Sequence, residues 1–356
     1  WVSTDQELRE AAGSFDSVVA IDSEFKRTNT YYPIPALYQI AMDERVFLVD
    51  PISIREWGPL IDFLEDDSKL KVFHACQEDL ELLYSHMAAK PKNVFDTQFA
   101  YAFVSDSYSL SYANLVEKVL GINVNKNETR SDWLQRPLSK SQIRYAVEDA
   151  IYLIEIYQEI RQKLIEKGRL HWFSEDISER VTYQEVEPSK YYRLMKRAWQ
   201  LEGPELSVLR DLGRWREERA RTKNVPRRRI VWDEHLVAFA KIKKLTEADI
   251  LQVVPRRVFD EFGLDILECH KKQSVFSIPQ KIARPMSGNQ NRLVKMLREI
   301  AQAKADQYGC SIELFGRKKD LEECVRSFQG TGNLSTYYHG WRSELLADEF
   351  KQVLVR

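Results

Sequence analysis

The apolar run Ser17-Val18-Val19-Ala20-Ile21 ends in Asp22-Ser23-Glu24, and this ending constrains the chain more than any other feature. The run reads as a strand, and residues two apart along a strand point to the same side. Asp22 and Glu24 therefore face one spot. Paired carboxylates suit a hard divalent cation such as Mg²⁺, which takes oxygen ligands and keeps some of its waters. Two further acidic islands, Asp79 and Tyr145-Ala146-Val147-Glu148-Asp149, could supply the remaining ligands.

Around Ser141 to Leu153 the apolar positions recur at helical spacing, which puts Tyr145 and Asp149 at i and i+4 on one face. A phenol beside a metal carboxylate can hold an attacking water in line with a scissile phosphorus, while the metal lowers that water's pKa. Such a site needs no nucleophilic side chain. Each residue also has a plainer reading. Asp22 and Glu24 could be solvated acids that complement Lys26 and Arg27, and Asp79 could be a helix N-terminal acid that favours the dipole, as Glu78 and Glu81 could. Tyr145 could be a core aromatic. The islands taken together favour the metal-ligand reading.

The chain resembles the DEDD exonucleases, in the branch whose third motif is Tyr-x-x-x-Asp, and within it the bacterial ribonuclease D group. The resemblance rests on ordered blocks: Ile21-Asp22-Ser23-Glu24-Phe25, Thr30-Tyr31-Tyr32-Pro33, Phe73-His74-Ala75-Cys76-Gln77-Glu78-Asp79-Leu80, Phe95-Asp96-Thr97-Gln98, Arg130-Ser131-Asp132-Trp133-Leu134 and the Tyr145 to Asp149 helix. It implies an α/β catalytic domain of ribonuclease H-like type, a mixed sheet flanked by helices. It also implies a metal-dependent 3′ to 5′ exoribonuclease that releases nucleoside 5′-monophosphates and acts in transfer RNA 3′-end processing and the maturation of small structured RNAs. In that scheme Asp22, Glu24, Asp79 and Asp149 hold two divalent cations, Mg²⁺ or Mn²⁺, and Tyr145 orients the water. No zinc and no organic cofactor are expected.

The coarse pattern fits. Strands are expected at 17 to 23, 36 to 42, 45 to 50 (after a tight Asp43-Glu44 turn) and 70 to 74, with helices from Thr4 to Ala11, near 56 to 66 and from Gln77 to His86. Beyond residue 169 the period fades and Pro188 interrupts it, and a helix is expected from Tyr192 to Leu201. Arg219-Ala220, Pro226, Ile230, Leu236 and Ala240 resemble the HRDC domain, a small helical nucleic-acid-binding module. Leu209-Arg210 and Leu297-Arg298 read as the starts of comparable helices, and Trp232 to Leu236 is echoed by Arg317 to Leu321, which suggests a second copy. The division expected is 1–170 for the exonuclease domain, 171–204 for a linker and connecting helix, 205–285 for a first HRDC domain and 286–356 for an HRDC-like second.

Net charge is only −1, but it is unevenly spread. Residues 1–170 carry 19 Lys and Arg against 27 Asp and Glu, whereas residues 205–285 carry 18 against 12. The first balance suits cation binding, and the second suits a grip on phosphates. Candidate RNA contacts are Phe25, Arg27, His74 and Arg130 near the motifs, and Arg227, Arg228 and Arg229 in the densest basic patch, although each also has a structural reading. The four cysteines lack Cys-x-x-Cys spacing and read as reduced thiols of a cytoplasmic protein. No apolar run approaches the roughly 18 residues of a membrane span. Trp1 stands where an initiator Met would, so a few residues are expected upstream. The partner expected is RNA with a free 3′ end, especially transfer RNA precursors, bound by a monomer. Rival readings are a 3′ to 5′ exodeoxyribonuclease of repair type, since nothing in the motifs senses a 2′ hydroxyl, and a non-catalytic RNA-binding protein.

Overall fold

The computed structural model describes residues 1–43, 45–124, 127–272 and 278–355. Glu44, half of the expected tight turn, lies outside them. The chain divides into two compact units, one of residues 1–26, 34–183 and 286–356, the other of residues 27–33 and 184–285.

The first unit is built on five strands: β1 (Val18–Lys26), β2 (Ile34–Met42), β3 (Arg45–Val49), β4 (Leu70–Phe73) and β5 (Val94–Asp96). Their spatial order is β3-β2-β1-β4-β5. The β1–β2 and β2–β3 pairs are antiparallel, as their short connections require, and the β1–β4 and β4–β5 pairs are parallel, joined through helices. The sheet is therefore mixed, as expected. Helix α1 (Asp5–Gly13) opens with a capping box of Thr4 and Glu7. Next come α2 (Gly58–Glu65), α3 (Gln77–Met87), α4 (Thr97–Ala102), α5 (Tyr112–Leu120), α6 (Lys140–Ile151), α7 (Leu153–Glu166) and α8 (Leu170–Arg180). Helix α3 packs its Leu80, Leu82 and Leu83 into the core that holds Val19 and Ile21 of β1. Ala20, two places from Asp22, belongs to a second core with Leu153, Ile156 and Ile160 of α7.

That second core does not end at residue 183. It continues into Leu297, Ala301 and Ala305 of the C-terminal segment and on to Trp341 and Phe350. Trp341 stacks on Trp172 with ring centroids 4.6 Å apart, and Arg342 forms a paired contact to Asp176 at 2.7 and 2.5 Å. The segment expected at 286–356 as an HRDC-like second domain packs as part of the first unit. Amphipathic spacing says that a face is buried, not what buries it.

The second unit contains α9 (Gly203–Thr222), α10 (Arg227–Ile230), α11 (Asp233–Ala240), α12 (Glu247–Leu251) and α13 (Arg256–Lys271) around Leu209, Leu212, Leu236, Phe239 and Ile266. The expected helix at Tyr192–Leu201 is absent. Two short 3₁₀ turns, Pro188–Leu194 and Ala198–Gln200, take its place, and Arg197 between them has φ 67°, which no α-helix admits. The C-terminal helices of the first unit are α14 (Gly288–Tyr308), α15 (Lys318–Thr331) and α16 (Gly340–Leu354). Leu209-Arg210 and Leu297-Arg298 lie inside α9 and α14 rather than at their starts. The echoed segments do correspond: Trp232 and Arg317 each sit at the N-cap of a helix.

Candidate active site

The pairing of β1 with β4 stops at Ala20 opposite Val72, so Asp22, Ser23 and Glu24 run on past β4 and stay paired with Gln39, Tyr38 and Leu37 of β2. A register shift follows at once between Glu24 and Phe25. The end of β1 is thus held on one edge and open on the other, beside the point where β4 gives way to α3. Asp79 lies in the first turn of α3 and is 7% exposed. Its carboxylate accepts a hydrogen bond from the Ser23 hydroxyl. A residue between the two expected ligands therefore ties the strand to the helix.

Asp96 fixes where α3 begins. Its fully buried carboxylate accepts from the amides of Ala75 and Cys76 at 3.0 and 3.2 Å and from those of Gln98 and Phe99 at 2.9 and 3.2 Å. One side chain thereby satisfies amides ahead of α3 and at the start of α4, groups that helix geometry leaves without partners. Ala75, at φ 57°, makes the tight turn that this requires. In the sequence the Phe95-Asp96-Thr97-Gln98 block stands only as one of the blocks that carry the family resemblance.

Helix α6 starts with a capping box of Ser139 and Gln142 and presents Tyr145 and Asp149 on one face. The Tyr145 hydroxyl hydrogen-bonds to the Asp149 carboxylate and lies 3.4 Å from Thr129 Oγ1. Its ring packs at 5.9 Å on Trp133, which is buried. Trp133 and Thr129, from the approach to the third motif, thus orient the phenol.

The electrostatics are those of an acidic cluster short of positive charge. Burial, then repulsion from Asp79, Asp149 and Glu24, raises Asp22 well above the ordinary carboxylate range. Burial, then Asp149 and Asp79, pushes Glu24 up to about 9. Burial lifts Asp79 and Asp149 to about 7, against the opposing hydrogen bonds from Ser23 and Tyr145. Among the described residues none of the four forms an ion pair with Lys, Arg or His. No three His, Cys, Asp or Glu side chains among those residues are gathered closely enough to hold an ion as they stand. An arriving cation would have to turn the carboxylates inward on their fixed backbones. The donor set nevertheless fits hard divalent cations: it is all oxygen, at least half-buried, and held at raised pKa values until its charge is neutralised.

The remaining candidates divide. Phe25 is half-buried against the core of Val19 and Ile21. Arg27 is exposed and donates to the Tyr31 carbonyl, and Arg130 is exposed. His74 is committed internally, with Nε2 3.1 Å from the Leu110 carbonyl and Nδ1 3.0 Å from Thr97 Oγ1. Burial lowers its pKa, and with Nε2 donating to the Leu110 carbonyl and Nδ1 against the Thr97 hydroxyl, no ring nitrogen is left for RNA. The expectation that Arg227 grips phosphate likewise gives way. Its guanidinium pairs with the fully buried Glu217 at 2.5 Å and lies 4.2 Å from the Tyr191 ring centre and 4.9 Å from that of Tyr31. Arg228 and Arg229 remain exposed.

A family model described as 3′-5′ exonuclease matches residues 1–165, and one described as HRDC domain matches residues 205–269. Ribonuclease D of Pseudomonas paraeruginosa is 35% identical over 99% of this chain and 97% of its own length. The chain belongs to the ribonuclease D family. The family member of Escherichia coli K12 is 30% identical over 99% of this chain and 97% of its own. The crystal structure of Escherichia coli RNase D, described as an exoribonuclease involved in structured RNA processing, superposes with a TM-score of 0.90 at 28% identity, covering 99% of this chain and 98% of that one. The catalytic core of RRP6 from Trypanosoma brucei, at 22% identity and a TM-score of 0.58 over 76% of this chain and 78% of that one, shares the fold. DEDD exonucleases of this kind depend on divalent metal, in keeping with the donor set described above.

Proposed function

We propose that in this 3′ to 5′ exoribonuclease Asp22, Glu24, Asp79 and Asp149 hold two divalent ions, Mg²⁺ or Mn²⁺, and that Tyr145 orients the attacking water while single nucleoside 5′-monophosphates leave a free 3′ end. The observation that carries this assignment is the set of four carboxylates whose pKa values are all raised, Asp22 and Glu24 partly by repulsion from Asp79 and Asp149, with a phenol hydrogen-bonded to one of them. When bound, divalent ions supply positive charge for the phosphate oxygens and bring the pKa of a water toward neutrality. The chain's own residues do the placing. Asp22 and Glu24 share one side of a strand fixed by β2, Ser23 holds Asp79, and Thr129 with Trp133 aims Tyr145 so that its hydroxyl can pass between Asp149 and a water.

Transfer RNA precursors and other small structured RNAs are the substrates proposed, by a monomer in the cytoplasm. The domain matching HRDC would bind the body of the RNA while its single-stranded tail enters the acidic site. No described helix is long and apolar enough to cross a membrane. The test is a time course on a 5′-labelled RNA with a stem and a single-stranded 3′ tail, with Mg²⁺ and with chelator, beside the matching DNA. A metal-dependent ladder that shortens from the 3′ end and slows at the stem is expected. Equal digestion of DNA would overturn the RNA assignment, and an intact substrate that shifts on a gel would overturn catalysis.

A further inference from the structure

A groove of about 950 Å³ opens in the second unit. Six cations and two acids line it, and one of those acids, Asp233, is already paired with Arg216 at 2.6 Å. Arg227 is spent on Glu217. Lys196, Arg197, Arg228 and Lys241 remain, all exposed, and among the described residues none of the four forms an ion pair. In their midst is Trp232, 52% exposed although it is among the largest apolar side chains in the chain. It occupies the N-cap of α11 and gives that helix no side-chain hydrogen bond, where Ser, Thr, Asp or Asn would stabilise it. The opposite wall, Leu194 to Arg197, precedes the residues that match the HRDC family and holds Arg197 in a backbone conformation that L side chains rarely adopt.

We infer that this groove is a binding site for single-stranded RNA, with the Trp232 indole stacking on an unpaired base while Lys196, Arg197, Arg228 and Lys241 meet the flanking phosphates. Every base has a π face, so an exposed indole among cations captures unpaired strands with little regard to sequence. A duplex, whose bases are already stacked, gains only the charge contribution. The class of ligand rests on the ribonuclease reading above.

The test uses the full chain carrying Asp149→Asn, in chelator, so that binding is read without hydrolysis. Affinities are measured for a fluorescent single-stranded RNA and for an abasic oligomer with the same number of phosphates. Trp232→Ala should weaken the base-bearing strand on the order of tenfold and close the gap between the two ligands, and Trp232→Phe should restore most of the loss. Lys196→Ala with Arg197→Ala should weaken both ligands and flatten the salt dependence by about two phosphate contacts. Unchanged affinity in Trp232→Ala, or an equal loss on both ligands, overturns the inference, as does displacement of RNA by polyglutamate with the same dependence on Trp232. Failure of the parent protein to shorten RNA would sink the exonuclease reading while leaving a Trp232-dependent preference for base-bearing strands intact.

Discussion

Raising the pH of the chelated, metal-free protein should lower its thermal stability, and Mg²⁺ should reverse that loss. Burial lifts Asp79 and Asp149 from 3.8 to about 7 and, with repulsion from its neighbours, Glu24 from 4.5 to about 9. The folded protein thus retains protons that the unfolded chain has released. A carboxyl whose folded pKa lies above its unfolded value contributes stability that is full below the unfolded pKa and is lost as pH rises through the folded one. The window here opens near the ordinary carboxylate range and closes near the Glu24 value of about 9. For Asp149 a rise of about three units, at 1.36 kcal/mol each, amounts to about 4 kcal/mol. Because the acids titrate as a coupled group, their contributions do not simply add, and the Asp149 figure of about 4 kcal/mol is taken as a floor for the cluster. At 2–4 °C per kcal/mol, Tm in chelator should fall by roughly 10 °C between about pH 5 and about pH 9. Mg²⁺ at about 100 times its Kd should return about 2.7 kcal/mol at the alkaline end and far less at the acid end, where protons compete for the same oxygens. Scanning calorimetry of the parent protein and Asp149→Asn, with and without Mg²⁺, measures this, and the variant should show a shallower slope. A level Tm in chelator across the range, or an equal Mg²⁺ effect at both ends, would refute the reasoning.

Asp149→Asn should cut turnover by more than about 100-fold, the upper range for losing even an outer-shell metal partner, while RNA affinity in chelator stays close to that of the parent; single-turnover kinetics beside a binding titration would decide it. Tyr145→Phe keeps the packing on Trp133 and removes the hydroxyl, so kcat should fall on the order of 100-fold with little change in KM. Arg227→Ala strips a partner from the buried Glu217 and should cost the second unit about 2 kcal/mol in urea denaturation, whereas Arg228→Ala with Arg229→Ala should leave stability alone and flatten the salt dependence of RNA binding. Trp341→Ala removes an indole stacked on Trp172 and should destabilise the first unit by about 3–5 kcal/mol; a loss below about 1 kcal/mol would mean that the C-terminal helices are not part of that core.

The first four strands and the helices bearing Asp79 and Tyr145 were legible because each shows one clean period in its apolar residues. Tertiary partners were not. Arg227 sits in a run of three arginines that reads as a solvated face, and only the fold reveals the carboxylate of Glu217 beneath it. His74 could have served substrate or structure until Leu110 and Thr97 were found on its two nitrogens. Asp96 has no charge pattern to mark it, since its role is to gather amides from two places that meet only after folding. The segment from Tyr192 to Leu201 has helix-forming side chains, yet Pro188 just before it and the left-handed Arg197 within it leave only 3₁₀ turns. Trp232 was noticed as part of an internal echo rather than as an exposed ring, because a sequence does not display accessibility.

The sharing of one core by residues far apart in the chain has a consequence for how the molecule is made. Roughly a hundred residues of the second unit are translated between Tyr183 and Met286, and Trp341 and Phe350 follow only after them. At about 5–20 residues per second, the ribosome delivers Asp22, Glu24, Asp79 and Asp149 many seconds before the helices that close the wall behind Trp172. A chain broken off early would carry the acids without that wall. In an enzyme that degrades RNA, the order of the polypeptide thus places completion of that core well after the last of the four acids has been made.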